Sequence, residues 1–189
     1  MSPWVGGCDD QVMHLISEIA CLESPRKDGM DNFTFYLHVF ILRTLVISTK
    51  GDAGPKMPVN ADGSLSHKQL SKNITMAFRI AACIFLRSLA PRFNARQKFL
   101  MKLFPSVLRY IPSDPDGFDR NVSWVYLVGG SISVPDSTFR AFFEDCLAQI
   151  GDSSRSGTMG RLTTVLHEVW LQNDNLSDVS APESTASEK

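Results

Sequence analysis

The chain is predicted to fold as a single all-α domain of about six helices around one buried central helix, ending in a disordered C-terminal tail. Three observations carry this prediction. Segment after segment repeats apolar residues at i, i+3, i+4 and i+7, the spacing of one helix face. The stretch 65–90, LSHKQLSKNITMAFRIAACIFLRSLA, is apolar almost all round from Ile74 onward when wound at helical period, with only Thr75, Arg79, Arg87 and Ser88 interrupting. A helix of that kind belongs inside a core. Beyond Gln172 the sequence becomes NDNLSDVSAPESTASEK, too polar and serine-rich to bury enough apolar area to offset its ordering entropy. The expected division is therefore a helical domain over 1–172 and a disordered acidic tail over 173–189.

Taken in order, Asp9 is placed to cap a first helix running to about Glu23. Val12, Leu15, Ile16, Ile19 and Leu22 form its apolar stripe, and Gln11, His14, Ser17 and Glu18 its polar side. Pro25 and Gly29 are expected to close it. Asp31 or Asn32 can cap the next apolar run, Phe33 to Ser48. Its β-branched and aromatic content leaves a strand open on periodicity alone, but strands rarely exceed ~10 residues, so its length favours a helix. The segment 51–63, GDAGPKMPVNADG, reads as a mobile, exposed loop.

In the central segment Ser66 and Gln69 stand at capping-box spacing, with Leu65 and Leu70 placed as a hydrophobic staple. Ile80 and Ile84 are expected in the core, Ala77, Ala81 and Ala82 admit close neighbours, and Pro91 ends the helix. Asn94 and Gln97 repeat the capping spacing ahead of a stripe through Phe99, Leu100, Leu103, Phe104, Val107 and Leu108, which Pro105 should kink or divide. The segment 113–121 reads as a turn-rich loop. The run VSWVYLVGGSISVP reads either as a short buried helix broken at Gly129-Gly130 or as a strand. Phe139, Phe142, Phe143, Cys146, Leu147 and Ile150 form a further helix up to Gly151, a natural C′ residue. Met159, Leu162, Val165, Leu166, Val169 and Trp170 form the last.

With 19 basic and 20 acidic side chains, the net charge of −1 argues neither for nor against nucleic acid. Cys8, Cys21, Cys83 and Cys146 are dispersed and read as reduced, buried thiols of an intracellular protein. No basic-then-apolar leader opens the chain, so no secretory signal is expected. The sequons at Asn32, Asn73, Asn121 and Asn175 are then chance matches. The apolar runs fall short of the ~20 residues a membrane span needs and are interrupted by Arg79 or by His38 and Arg43. No membrane association is expected.

Catalytic motifs are nearly absent. His167-Glu168 begins a zinc-protease motif, but Leu171 stands where its second His is required. Gly129-Gly130-Ser131-Ile132-Ser133 approaches a nucleophile elbow, with Ser133 in place of the closing Gly. Gly151, Gly157 and Gly160 have no following Lys to complete a phosphate loop. The four histidines do not cluster, and His14 with Glu18 reads as an exposed pair on a polar face. No catalytic, cofactor-binding or metal-ligating residue is assigned, no cofactor is implied, and the chain is not expected to be an enzyme. Between Lys72 and Arg109 stand eight basic residues and no acidic one: Lys72, Arg79, Arg87, Arg92, Arg96, Lys98, Lys102 and Arg109. They are expected to project from two helices and pair with the acidic remainder, with nucleic acid or an acidic partner as the alternative. Trp124 and Trp170 are expected as core anchors, while a pocket among the helices suited to a small effector is the alternative.

The order of segments resembles the fungal-specific transcription factor domain, the helical regulatory region that follows the DNA-binding module in fungal zinc-cluster transcription factors. The leading helix carries Ile19-Ala20-Cys21-Leu22. The central helix reads Ala77-Phe78-Arg79 followed by Phe85-Leu86-Arg87. Trp124 opens an apolar run that ends at Gly130, a helix containing Arg140 follows, and the sequence closes on Val169-Trp170. Departures are Val125 where a Pro usually follows the Trp, an unusually apolar Phe33–Ser48 segment, and four dispersed cysteines that cannot supply a six-cysteine zinc cluster. The resemblance implies a nuclear regulator of transcription, placed in control of a fungal metabolic gene cluster. It would act through protein partners, either a full-length zinc-cluster regulator or a co-regulator, with homo- and heterodimers both open. The chain alone is not expected to read DNA sequence, because no module that delivers side chains to base edges is visible.

Overall fold

A computed structural model describes residues 8–49, 54–89, 104–111, 118–152 and 156–179. Among these are seven helices and no named strand: α1 (Asp10–Ala20), α2 (Glu23–Lys27), α3 (Asn32–Ser48), α4 (His67–Ser88), α5 (Phe118–Ser131), α6 (Thr138–Ile150) and α7 (Gly157–Val179), with a further helical stretch at 104–108. The all-α expectation is met. The predicted helix starts around Asn94 and the end of the chain beyond Val179 lie outside the described residues.

The central helix is α4. One side of it (Leu70, Ile74, Ala77, Phe78, Ile80, Ala81, Ile84) joins the main core, built with 104–111, α5, α6 and α7. The other side supplies Ala82 and Leu86 to a second core with Leu15, Ile19 and Leu22 around α1, and Phe35, Val39 and Val46 of α3. One helix shared by two cores must be apolar over most of its circumference, and only a narrow strip through Lys68, Lys72, Thr75 and Arg79 stays polar. The alanines sit at zero exposure where neighbours come closest.

Asp9 caps α1 by accepting from the backbone N–H groups of Gln11 and Val12, and Asp31 caps α3 by accepting from that of Thr34. Ser66 is the N-cap of α4, but its hydroxyl makes no capping bond. Its backbone N–H donates to the Pro58 carbonyl at 2.8 Å, and Gln69 turns its amide to Asn73 instead of reaching back. The capping box expected there is therefore not formed. The first apolar segment is also shorter than predicted. α1 ends at Ala20, and Pro25 lies inside α2 instead of closing the helix, a place its missing N–H allows within a first turn.

Two further corrections concern glycine and the tail. α5 starts at Phe118, inside the predicted loop, and runs unbroken through Gly129 and Gly130. A Cβ at Gly129 would collide with Phe104 and Phe139, and one at Gly130 with Leu166. These glycines thus permit close packing and do not break the helix. α7 extends to Val179, past the boundary expected at 172, because Asp174 is held by Arg140 of α6. The loop after α3 is mostly exposed, as expected, yet tied in place. Val59 bridges Leu65, and both the N–H and the carbonyl of Lys56 bond the Asn73 side chain.

Candidate interaction site

An apolar cavity of about 540 Å³ opens where α1, α2, α3, α4 and α5 meet. Its walls include Ile16, Ile19, Phe35, Phe85 and Trp124, with Arg26 and Lys27 at the mouth. The Trp124 ring stacks on Phe78 at 6.0 Å and meets Phe85 at 6.4 Å, which fixes it as a rigid wall. The residue is half-buried and packs against both cores, so Trp124 is the core anchor expected and also a wall of the cavity. The Arg26 guanidinium lies 4.8 Å from the Phe35 ring centroid, so a cation stands over an apolar interior. Such a cavity matches the size of small-molecule sites and suits an apolar body carrying an acidic end.

On the opposite side of α4 a second, polar cleft of about 550 Å³ is bordered by Asp9, Lys56, Asn73, Thr75 and Arg79. The Thr75 hydroxyl accepts from the Asp9 N–H at 2.9 Å. Asn73, only 1% exposed, is the polar hub of the fold. Its Nδ2 donates to the Lys56 carbonyl at 2.8 Å and the Tyr110 carbonyl at 3.0 Å, while its Oδ1 accepts from Gln69 at 3.0 Å. One side chain thus ties two separate connections to α4. Sequence reading registered Asn73 only as part of a sequon. The available signal was a lone amide on an otherwise apolar helix face, four residues from Gln69.

Arg79 does not pair with an acidic side chain, as expected of the basic stretch. It donates to the carbonyls of Val46 and Ile47, both at 3.3 Å, and so satisfies the last turn of α3. Lys72 and Arg109 are exposed, Arg87 is half-buried, and Arg92, Arg96, Lys98 and Lys102 lie outside the described residues.

The residues weighed for chemistry have structural partners. The Ser133 hydroxyl, buried at 2% exposure, donates to the Gly129 carbonyl at 2.7 Å and finishes α5. His167 bonds Glu144 at 2.9 Å across α7 and α6, and both are exposed. His14 and Glu18 are exposed on the polar face of α1, as expected. No three His, Cys, Asp or Glu side chains gather into a metal-binding group among the described residues, and none of the described helices is long and apolar enough to cross a membrane. Cys146 is buried, Cys8 and Cys83 are half-buried, and Cys21, expected inside, is exposed at the end of α1. Burial pushes the Cys8 thiol up to about 11, against the opposing hydrogen bond from Thr75, and raises that of Cys83 despite Arg43, Arg79 and Arg87 nearby. Both thiols stay protonated near neutral pH and are weak nucleophiles.

Several of the sequence phrases singled out above converge on one structural knot. The Arg140 guanidinium forms a two-pronged pair with Asp174 at 2.7 and 2.8 Å and donates to the Ser133 carbonyl at 2.8 Å. It also lies 4.8 Å from the Trp170 ring centroid. Trp170, buried as expected, donates its Nε1–H to the Gly130 carbonyl at 2.8 Å and meets Phe143 edge-on at 5.9 Å. Gly130, Ser133, Arg140, Trp170 and Asp174 therefore lock α5, α6 and α7 together. The packing of the three helices uses all five at once.

Residues 1–181 match the fungal specific transcription factor domain. The chain is similar to the transcriptional regulatory protein pro1 of Neurospora crassa, with 51% identity over 184 residues, 95% of this chain and 26% of that protein. It thus spans about a quarter of that relative's length. No solved structure matches it. With the match covering nearly the whole chain, the protein belongs to the fungal-specific transcription factor domain family.

Proposed function

We propose that this chain is the effector part of a nuclear transcription regulator, working through protein contacts in the control of a fungal metabolic gene cluster. The observation that carries the reading is how the domain uses its polar side chains. Arg79, Asn73, Ser133 and Arg140 are all engaged in holding helices and connections together. A rigid helical body with its polar chemistry turned inward offers surfaces, not a reaction centre. The name of the Neurospora relative supports the regulatory reading, and the 51% identity extends through the whole helical body.

Sequence readout of DNA is not assigned to this chain. Arg79, in the middle of the basic stretch, is half-buried and committed to the end of α3, so the stretch is not one continuous displayed face. Attraction to phosphate alone is independent of sequence and falls steeply with salt. Binding of the purified chain to promoter fragments is expected to be weak, equal for all sequences and lost near physiological ionic strength. A salt-resistant footprint on one promoter would overturn this.

The apolar cavity with its cationic mouth favours a second reading, a domain whose regulatory contacts respond to an apolar acid. A ligand that binds only the folded state raises the melting temperature. A panel of aromatic and aliphatic carboxylates should then give shifts that vanish in Trp124→Ala. No shift from any of them would remove the sensor reading.

A further inference from the structure

The connection between α1 and α3 carries the tetrapeptide Ser24-Pro25-Arg26-Lys27. The chain has one other Ser-Pro pair, Ser2-Pro3, and there the third position after the serine is Val5 instead of a base. Ser24, Arg26 and Lys27 are exposed. Arg26 and Lys27 are also the cations at the mouth of the apolar cavity, so the tetrapeptide borders that cavity. Its backbone is weakly held. α2 is five residues long, no side chain caps its start, and Pro25 has no N–H to bond. A helix that short lies far below the roughly 12–15 residues that persist unaided in water. The residue before a proline is also pushed toward extended backbone, so Ser24 occupies a helical turn against its own preference. Its hydroxyl donates only one long hydrogen bond, at 3.5 Å, to the exposed Asp28 carboxylate.

We propose that Ser24 is a phosphorylation site for a proline-directed serine kinase, and that its phosphate switches off the cationic mouth of the apolar cavity. The switch rests on the reading of the cavity as a site for an apolar acid; the site itself does not. A kinase of this class holds its target segment extended. An apolar pocket takes the proline ring, where any other residue would bury an unpaired N–H. An acidic patch takes the base at the third position after the serine. Ser24, Pro25 and Lys27 supply serine, proline and base in that register, and local unwinding of one short helix presents all three. In the transfer, Ser24 Oγ attacks the terminal phosphorus of a nucleoside triphosphate. The bond from that phosphorus to its bridging oxygen breaks, a nucleoside diphosphate leaves, and the hydroxyl proton passes to a base on the kinase.

Charge sets the consequence. A phosphoserine carries about −1.5 to −2 at neutral pH. Lys27 stands three residues on, a spacing that puts both side chains on one side of a helical turn. Asp28, which accepts from the Ser24 hydroxyl, would instead face a second anion. The phosphate therefore turns toward Lys27 and offsets most of the positive charge that Arg26 and Lys27 place at the mouth. An acidic ligand then loses its attraction, while the apolar walls formed by Phe85 and Trp124 are unchanged.

Incubation of the full chain with a cyclin-dependent kinase and ATP tests the site. Intact mass should show a single phosphate taken up, and peptide mapping should place it on Ser24. Ser24→Ala should take up almost none, Pro25→Ala should lose nearly all uptake, and Lys27→Ala should slow it several-fold. Pro25→Ala removes a residue that opposes the helix, so its loss of uptake is not a loss of fold, which retained circular dichroism verifies. No uptake by the folded wild type, or equal uptake by Ser24→Ala, would overturn the site. The switch is read from melting-temperature shifts caused by aromatic and aliphatic carboxylates. The phosphorylated chain should need several-fold more carboxylate for the same shift, and any shift from the matching neutral amides should be alike in both forms. Equal carboxylate responses in the two forms would overturn the switch. Phosphate on Ser24 with no carboxylate shift in either form would leave the site standing and remove the switch together with the sensor reading.

Discussion

Replacing Asn73 by Asp exchanges one NH₂ group for an oxygen and abolishes the two hydrogen bonds that tie separate connections to α4. In the wild type Nδ2 donates to the Lys56 carbonyl at 2.8 Å and to the Tyr110 carbonyl at 3.0 Å, at a site 1% exposed. A carboxylate there would face two carbonyl oxygens and leave both without a donor. Truncation to Ala removes the donors without adding charge, and each buried acceptor left unpaired costs about 1–3 kcal/mol. Water can reach the exposed Lys56 side of the site, so Asn73→Ala should lose about 2–4 kcal/mol. For a chain of this length that corresponds to roughly 4–16 °C in Tm. Asn73→Asp should lose more at neutral pH, because a buried charge is added to the unpaired acceptors. Burial and the facing carbonyls both disfavour its charged form, so its folded-state pKa lies above its unfolded one. The extra penalty is therefore complete above the folded pKa and shrinks as pH falls through it. Melting curves of wild type and both variants at pH 7 and near pH 4.5 check this: the Asp variant should gain on the wild type at the lower pH, and the Ala variant should not. An Ala variant melting within about a degree of wild type would refute the view that Asn73 fastens the two connections to α4.

Other outcomes follow from the same geometry. Gly130→Ala should destabilise by about 1–3 kcal/mol through overpacking against Leu166, even though Ala is the better helix former, and chemical denaturation will read the sign directly. Asp9→Ala should cost about 1 kcal/mol because two N–H groups lose their acceptor, while Ser66→Ala, whose hydroxyl caps nothing, should leave Tm nearly unchanged. Truncation after Gln172 removes Asp174 and should lower Tm, whereas truncation after Val179 should not. The Arg140 guanidinium, by hydrogen bond and charge, holds the Asp174 carboxyl below the usual carboxylate range, so its contribution is present above the unfolded carboxylate pKa and is lost on acidification through the lower folded value. The difference between the two truncations should accordingly narrow in acid.

Much of this fold is legible in the sequence because helix packing announces itself by period. The stripes through Val12–Ile19 and Phe139–Cys146 fall on buried faces, and Asp9, Asp31 and Gly151 mark helix ends where propensity puts them. What is not legible is whatever depends on a distant partner. Gly129-Gly130 carries the same letters whether it breaks a helix or admits Phe104 and Leu166, and only tertiary contact decides. The polar stretch around Asp174 looks disordered by composition, yet one guanidinium 34 residues upstream holds it in a helix. Ser66 and Gln69 have the right spacing for a capping box, but Pro58 and Asn73 compete successfully for their polar groups. The apolar cavity is written in residues indistinguishable from core, and only the half-burial of Ile16, Phe85, Leu89 and Trp124 in the fold sets it apart. α3 was legible as unusually apolar, although its two-sided character emerges only once one side is seen to be buried.

Whether this helical body is a protein-contacting effector of transcription can be read by tethering the chain to a heterologous DNA-binding module upstream of a reporter in a fungal host. Reporter output should depart several-fold from that of the module alone, and Asn73→Asp, which unfastens the body, should return it toward that baseline. An output equal to the module alone, from a fusion that is folded, nuclear and bound at the reporter, would contradict it.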